Sequence, residues 1–185
     1  NKLSKVKRFI FMAGIYPTRK GFMDILKALY LIKNNSMKNI HVDVAGGFQS
    51  RAFDEIIKKL DIGKYVTLHG FIDNKTKNNL FKNSFCMLLP SYNEGFPHTI
   101  LESMDNNTPI IASSIGGIKD VIVNGKNGLL ISPGDYQDLA VKMVFLTLNP
   151  TLADKYISEN KKIVKNYDIE IIYNNLLAIY SDYYN

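Results

Sequence analysis

The sequence holds a single cysteine, Cys86, in 185 residues. An intramolecular disulfide is therefore excluded, and a cysteine-based zinc site has too few ligands. Cys86 lies within the apolar run Phe85–Leu89 and is expected as a small buried side chain. No apolar run approaches the roughly 20 residues of a membrane-spanning helix. There is no stretch of five consecutive basic residues and no basic segment interleaved with stacking aromatics, which argues against nucleic acid as a partner. No charged head, apolar core and small-residue cleavage site mark a signal peptide, and the start at Asn1 reads as a cut.

What remains is ordinary for a soluble globular domain. Apolar residues make up 46% and charged residues 22% of the chain. The length suits one domain, by the usual prior of about 100–200 residues, with a core that needs no staple. Lys and Arg exceed Asp and Glu for a formal net charge of +6. That leaves an anionic ligand, or a weak attraction to an anionic membrane, as readings of the charge.

The chain alternates apolar runs with helical periodicity. Strands are expected at Arg8–Ala13, Asn39–Ala45, Tyr65–Leu68, Phe85–Leu89, Pro109–Ala112 and Leu129–Ile131. Helices are expected at Gly21–Lys33, Arg51–Leu60, Lys75–Phe81, Pro97–Met104, Asp135–Leu148, Thr151–Lys165 and Asp168–Tyr184, with Asp135 as an N-cap. Continuous apolar strands separated by helices predict an α/β fold, a Rossmann-like parallel sheet with helices on both faces, in a single domain over residues 1–185. Ligands of such sheets bind beyond the C-terminal ends of the strands. The loops to watch are Gly14–Lys20, Gly46–Ser50, Gly70–Asn74, Ser91–Phe96 and Ser113–Gly117. Their glycines let backbone approach a ligand, and a helix start after each favours an anion.

The densest chemistry lies in Pro90–Glu102, Pro-Ser-Tyr-Asn-Glu-Gly-Phe-Pro-His-Thr-Ile-Leu-Glu. Seven residues separate Glu94 from Glu102. A helix beginning near Pro97 turns the free N–H groups around Thr99 and Ile100 toward the loop mouth, where they and the helix dipole would hold a phosphate. A carboxylate suits sugar hydroxyls better than phosphate. Glu102 would then take a ribose and Glu94 a second sugar. Spacing alone equally allows a solvated loop charge at Glu94 and an exposed helix residue at Glu102. His41 and His69 read as structural, and His98 and Asp120 as surface or capping residues with a ligand role left open.

These residues resemble a known family. Ser91–Glu102, followed by Thr108-Pro-Ile-Ile-Ala112 and Gly116-Gly117, is similar to the C-terminal half of a family 4, or group 1, retaining glycosyltransferase of the GT-B fold. The likeness extends through Phe11-Met-Ala-Gly14 with Lys20-Gly21, Val44-Ala-Gly46, Leu68-His-Gly70 and Asn127–Asp135. It implies transfer of a sugar from a nucleoside diphosphate sugar to a hydroxyl acceptor, in polysaccharide or glycolipid synthesis. Glu94 and Lys20 would be catalytic, with Glu94 on the donor sugar and Lys20 on the diphosphate. Gly14, Arg19, Gly46, Gly70, Phe71, Ile72, Gly95, Phe96, Thr99, Ile100 and Glu102 would bind the donor, the last through its ribose and Gly70–Ile72 through the base. The family's diphosphate arginine is replaced by Ile15, and Arg19 is the candidate substitute. Pro97 stands where many members have glycine.

The resemblance further implies no cofactor and no metal, the nucleotide sugar being the substrate. It implies an N-terminal acceptor domain beyond this chain, toward which the helices of about 151–185 would pack. The apolar stripe Ile169, Ile172, Leu176, Ile179 and Tyr183 fits that role or packing on its own domain equally well. A cytoplasmic site, with peripheral contact at the inner membrane face left open, completes the expectation. Two alternatives stand beside it: another GT-B enzyme, an epimerase or phosphorylase relative, or a non-catalytic nucleotide-binding module.

Overall fold

A computed structural model describes residues 6–35, 39–47, 51–95 and 98–184, the side chains of residues 169, 172, 175, 178 and 181–184 excepted. Six strands form one sheet: β1 (Lys7–Met12), β2 (Ile40–Ala45), β3 (Val66–Gly70), β4 (Cys86–Leu89), β5 (Ile110–Ser113) and β6 (Leu129–Ile131). Every pairing is parallel, and the order is β3-β2-β1-β4-β5-β6. Parallel neighbours need crossover connections, and the helices supply them: α1 (Phe22–Asn34), α2 (Arg51–Lys59), α3 (Asn74–Asn83), α4 (His98–Asp105) and the short α5 (Ile118–Val121). Three helices, α6 (Tyr136–Leu148), α7 (Pro150–Val164) and α8 (Ile169–Tyr184), close the chain.

Alternation along each strand divides the core in two. Phe9, Phe11, Val42, Val44, Cys86 and Leu88 face α1 and α6, meeting Ile25, Leu26, Leu29, Leu139, Met143 and Leu146. Ile10, Met87, Leu89, Ile110 and Ala112 face the other way, onto Phe81 of α3, Ile100 and Met104 of α4, and Ile118 and Val121 of α5. Burying an aliphatic or aromatic side chain of this size contributes about 1.5–3 kcal/mol. Cys86 is fully buried, as expected, and burial pushes its thiol well above the usual range.

The second face is not apolar throughout. Buried Asp43 on β2 accepts two hydrogen bonds from the Arg8 guanidinium on β1, and the His69 ring on β3 stands 2.7 Å from the same carboxylate. Burial pushes this carboxyl upward, but the Arg8 and His69 hydrogen bonds with the Arg8 charge outweigh it, so Asp43 titrates below the ordinary carboxylate range. His41 lies alongside, between the Lys64 carbonyl and the Thr67 hydroxyl. Both histidines are thus structural.

Helix starts follow the sequence signals. Asp73 caps α3 by accepting from the Thr76 N–H at 2.7 Å, and Asp135 caps α6 by accepting from the Asp138 N–H at 2.9 Å. The first helix begins differently. Gly21 takes φ +83°, and a Cβ there would lie 2.0 Å from the Pro90 carbonyl oxygen. Only glycine lets the start of α1 press against the end of β4. On α8, Leu176 and Ile179 are exposed, as are Ile171, Tyr173, Leu177 and Tyr180. The side chains of Ile169, Ile172 and Tyr183 fall outside the described residues. Among the described residues no helix is long and apolar enough to cross a membrane.

Candidate functional site

Strands β1 and β4 are neighbours, yet the chain leaves them in opposite directions: β2 and β3 lie on one side, β5 and β6 on the other. The loops after β1 and β4 therefore diverge and open a crevice at the strand ends, where ligands of such sheets bind. The loop after β1 is wound into turns, the Lys20 N–H donating to Tyr16 O and the Gly21 N–H to Thr18 O. The two loops are tied by the Tyr92 N–H donating to Arg19 O at 3.0 Å.

Three side chains converge there. Ser91, fully buried, donates from its hydroxyl to Glu94 Oε1 at 2.8 Å. Lys20 brings its Nζ to 3.5 Å from the same oxygen, and the Lys20 and Glu94 side chains are only 18% and 12% exposed. The backbone of Glu94 is pressed from behind, since a Cβ on Gly116 would meet Glu94 O at 2.3 Å and the Gly117 N–H donates to Gly95 O. A carboxylate and an ammonium are thus fixed at the crevice mouth by groups from three loops.

Glu102 sits one turn further along α4. Its Oε1 accepts from Lys77 Nζ of α3 at 2.6 Å. It also borders a hollow of about 410 Å³ shared with Asp105, Lys165, Tyr167 and Asp168 near the α7–α8 junction. Glu102 and Glu94 therefore stand on one loop-and-helix unit but with different partners. At the start of the same helix, Ile100 is buried in the core, while the buried Thr99 hydroxyl has no hydrogen-bond partner among the described residues. The first N–H groups of α4 are left without intrahelical acceptors by helix geometry, so this end can take an anion. His98 is exposed at the helix start and Asp120 on α5. Phe96, expected as a donor contact, and Pro97 lie outside the described residues.

The expected glycines divide by what surrounds them. Gly70 (φ +65°) and Gly95 face open space, with nothing within 4 Å of an added Cβ. Gly46 is filled: a Cβ there would lie 2.5 Å from Gly14 O, and its N–H donates to Gly70 O. Its glycine serves the packing of three loops on one another. Beyond them Phe71 is 83% exposed with its ring against Gly47, and Ile72 is half-buried beside it. Gly14 (φ +58°) lies alongside the Lys20 stem.

The first loop also shows where the positive charge goes. Ile15 is 60% exposed. The Arg19 guanidinium lies over the Tyr16 ring, 5.0 Å from its centroid. Both line a cleft of about 610 Å³ with Ile15, Pro17, Thr18, Met23 and Tyr92. Lys20 is the cation on Glu94. Tyr92, which sequence reasoning passed over, braces this corner. Its hydroxyl donates to buried Asp24 of α1, and that bond, with burial and the Asp24 charge, pushes the phenol up to about 12. Ser91 and Lys77 were likewise missed as partners of the two glutamates. Among the described residues no three His, Cys, Asp or Glu side chains are grouped to hold a metal ion.

The family model described as glycosyl transferases group 1 matches residues 1–163. A 2-deoxystreptamine N-acetyl-D-glucosaminyltransferase of Niallia circulans is 27% identical over 180 residues, which is 95% of this chain and 45% of that protein. The chain thus spans less than half the length of this curated relative. The solved C-terminal domain of a group 1 family protein, LpcC from Francisella tularensis, superimposes with a TM-score of 0.76 at 25% identity, over 89% of this chain and 88% of that one. Anabaena HepE, solved in complex with UDP, superimposes with a TM-score of 0.85 at 19% identity, over 96% of this chain and 49% of that one.

Proposed function

The chain belongs to the group 1 glycosyl transferases, and from that premise we propose that it is the donor-binding domain of a retaining enzyme, which moves a sugar from a nucleoside diphosphate sugar to a hydroxyl acceptor. The observation that carries this reading is the Lys20–Glu94–Ser91 cluster at the β1/β4 crevice, beside the free N–H groups that open α4. In this reading the diphosphate lies between Lys20 and the start of α4. Both face the oxygen on which negative charge grows as the sugar departs, and both stabilise it there. Glu94, held by Ser91 and Lys20, accepts from donor-sugar hydroxyls. Glu102 accepts from the ribose, and Gly70, Phe71 and Ile72 border the base. The domain contributes positioning and charge, without a paired general acid and base of its own.

With Ile15 in the arginine position and Arg19 over Tyr16, the diphosphate meets one fewer side-chain cation than the family pattern supplies. The proposal includes an acceptor domain outside this chain, a part in polysaccharide or glycolipid synthesis at the inner face of the membrane, and no divalent cation. The UDP bound to HepE makes UDP the first nucleotide to try.

The test is a thermal shift of the chain with UDP, GDP, ADP and CMP. A nucleotide at 100 times its dissociation constant adds about 2.7 kcal/mol, or roughly 5–11 °C for a chain of this size. A shift with one nucleoside diphosphate, reduced in Glu102→Ala, is expected. No shift with any of the four overturns the donor-site reading.

A further inference from the structure

Lys77 is absent from every expectation drawn from the sequence, yet it makes one of the shortest polar contacts near the crevice. It lies in the first turn of α3, its N–H donating to Asp73 O at 2.9 Å, directly after the loop 70–73 that borders the proposed base position. Its Nζ is 2.6 Å from Glu102 Oε1 on α4, with the two side chains 23% and 37% exposed. Among the described residues this is the ion pair that joins α3 to α4. In a parallel α/β sheet both helices start on the side where the strands end, so the pair spans the crevice end of the two helices.

We propose that Lys77 is a positioning residue for nucleotide recognition: it holds the Glu102 carboxylate in the orientation that accepts ribose hydroxyls, and so sets preference for ribose over 2′-deoxyribose. This rests on the reading of Glu102 as the ribose ligand. An ionised carboxylate offers about four acceptor positions. Lys77 occupies one, on Oε1, and among the described residues Oε2 accepts nothing. The carboxylate is therefore anchored without being used up. A glutamate on a helix face otherwise samples several rotamers, and freezing them on binding weakens affinity. The ion pair does that ordering before the ligand arrives. As a staple between helices it matters little, because part-exposed ion pairs contribute only about 0–1 kcal/mol to stability.

The selectivity ratio separates this role from simple attraction. An ammonium near an anionic ligand strengthens binding of ribo- and deoxyribonucleotides alike, and a ratio of dissociation constants cancels that part. The experiment titrates the chain by calorimetry with whichever of UDP, GDP and ADP binds tightest, and with its 2′-deoxy counterpart. The unmutated chain is expected to prefer the ribonucleotide about tenfold, the size of a hydrogen bond to a charged group. Glu102→Ala should abolish that preference. Lys77→Met should cut it at least threefold while its melting temperature stays within a few degrees, and Lys77→Arg should restore it. If Lys77→Met keeps the full preference while Glu102→Ala loses it, the positioning role is overturned and the ribose reading stands. If the unmutated chain shows no preference, or Glu102→Ala keeps it, the ribose reading itself falls.

Discussion

Replacing Asn127 by alanine removes three hydrogen bonds, two of them fully buried. Asn127 is fully buried between β6 and α7. Its Oδ1 accepts from the Val123 N–H at 2.7 Å, and its Nδ2 donates to Val121 O at 2.9 Å and to Asn160 Oδ1 at 3.0 Å. The side chain pins the turn between α5 and β6 to α7. Each such bond contributes about 0.5–1.5 kcal/mol net, and stranding its partner costs at least as much. Three together give about 1.5–4.5 kcal/mol, a large part of the roughly 5–15 kcal/mol that holds a domain folded. A central value of about 3 kcal/mol lowers the melting temperature by roughly 6–12 °C for a chain of this size. Asn160→Leu is the contrast. Asn160 is equally buried, but its own Nδ2 has no partner among the described residues, so leucine removes an orphaned donor and leaves Asn127 bonded to Val121 O. Its cost is that of one lost bond and one stranded Asn127 N–H, about 1–3 kcal/mol set against the deletion of the orphaned donor, and so below that of Asn127→Ala. Urea denaturation followed by circular dichroism measures both. An Asn127→Ala loss under about 1 kcal/mol, or an equal loss in Asn160→Leu, refutes the reasoning.

Three further outcomes are expected. Gly21→Ala places a Cβ at 2.0 Å from Pro90 O at φ +83°; the left-handed conformation alone costs about 1–2 kcal/mol, so urea denaturation should show a loss above that, and a stabilised variant would contradict the packing of α1 on β4. Ser91→Ala removes the hydroxyl from Glu94 and should lower the sugar-transfer rate of the full-length enzyme about tenfold, as for a hydrogen bond to a charged group, with nucleoside diphosphate affinity within twofold; unchanged transfer would show that Glu94 needs no anchor. Stability should fall in two stages on acidification, followed by denaturation midpoints against pH. Burial lowers the His41 pKa more than its hydrogen bond to Lys64 O raises it, so the unfolded chain takes up the proton first and stability drops as pH falls below about 6.5. Asp43, lowered by Arg8 and His69 against the effect of burial, holds its contribution above about 3.9 and loses it as pH falls through its folded value. Arg8→Met should weaken both stages, the second most, since the Arg8 charge lowers the titration of His41 as well as that of Asp43.

The fold was legible because its strands are fully buried. Phe9–Phe11 and Met87–Leu89 face helices on both sides, so they read as unbroken apolar runs where an open sheet would alternate. Helix α5 was not legible: four residues are too few for a period, and Gly116-Gly117 before it signals only a turn. At the site, Glu94 and Lys20 stood out through the family's motifs, and the structure brings them together. Lys77 gave no signal, because its partner lies 25 positions away and nothing in the periodicity of α3 marks a residue that answers to the next helix. Gly46 was read as room for a ligand, whereas the space over it holds the backbone of Gly14. A sequence shows that a glycine leaves space, not what occupies it.

The strand at the middle of the sheet is also the first of the six in chain order. Phe9 of β1 pairs with Val42 on one side and with Cys86 on the other. During synthesis at about 5–20 residues per second, one edge of β1 waits roughly 4–15 s for β4 to emerge. For that time Lys-Arg-Phe-Ile-Phe-Met is an apolar strand with an unpaired side, the kind of segment that recruits other chains. The two basic residues at its start are then gatekeepers on the nascent chain, before Arg8 has any Asp43 to meet. The topology that opens a crevice between β1 and β4 in the finished domain makes the same seam the last contact of the central strand to close.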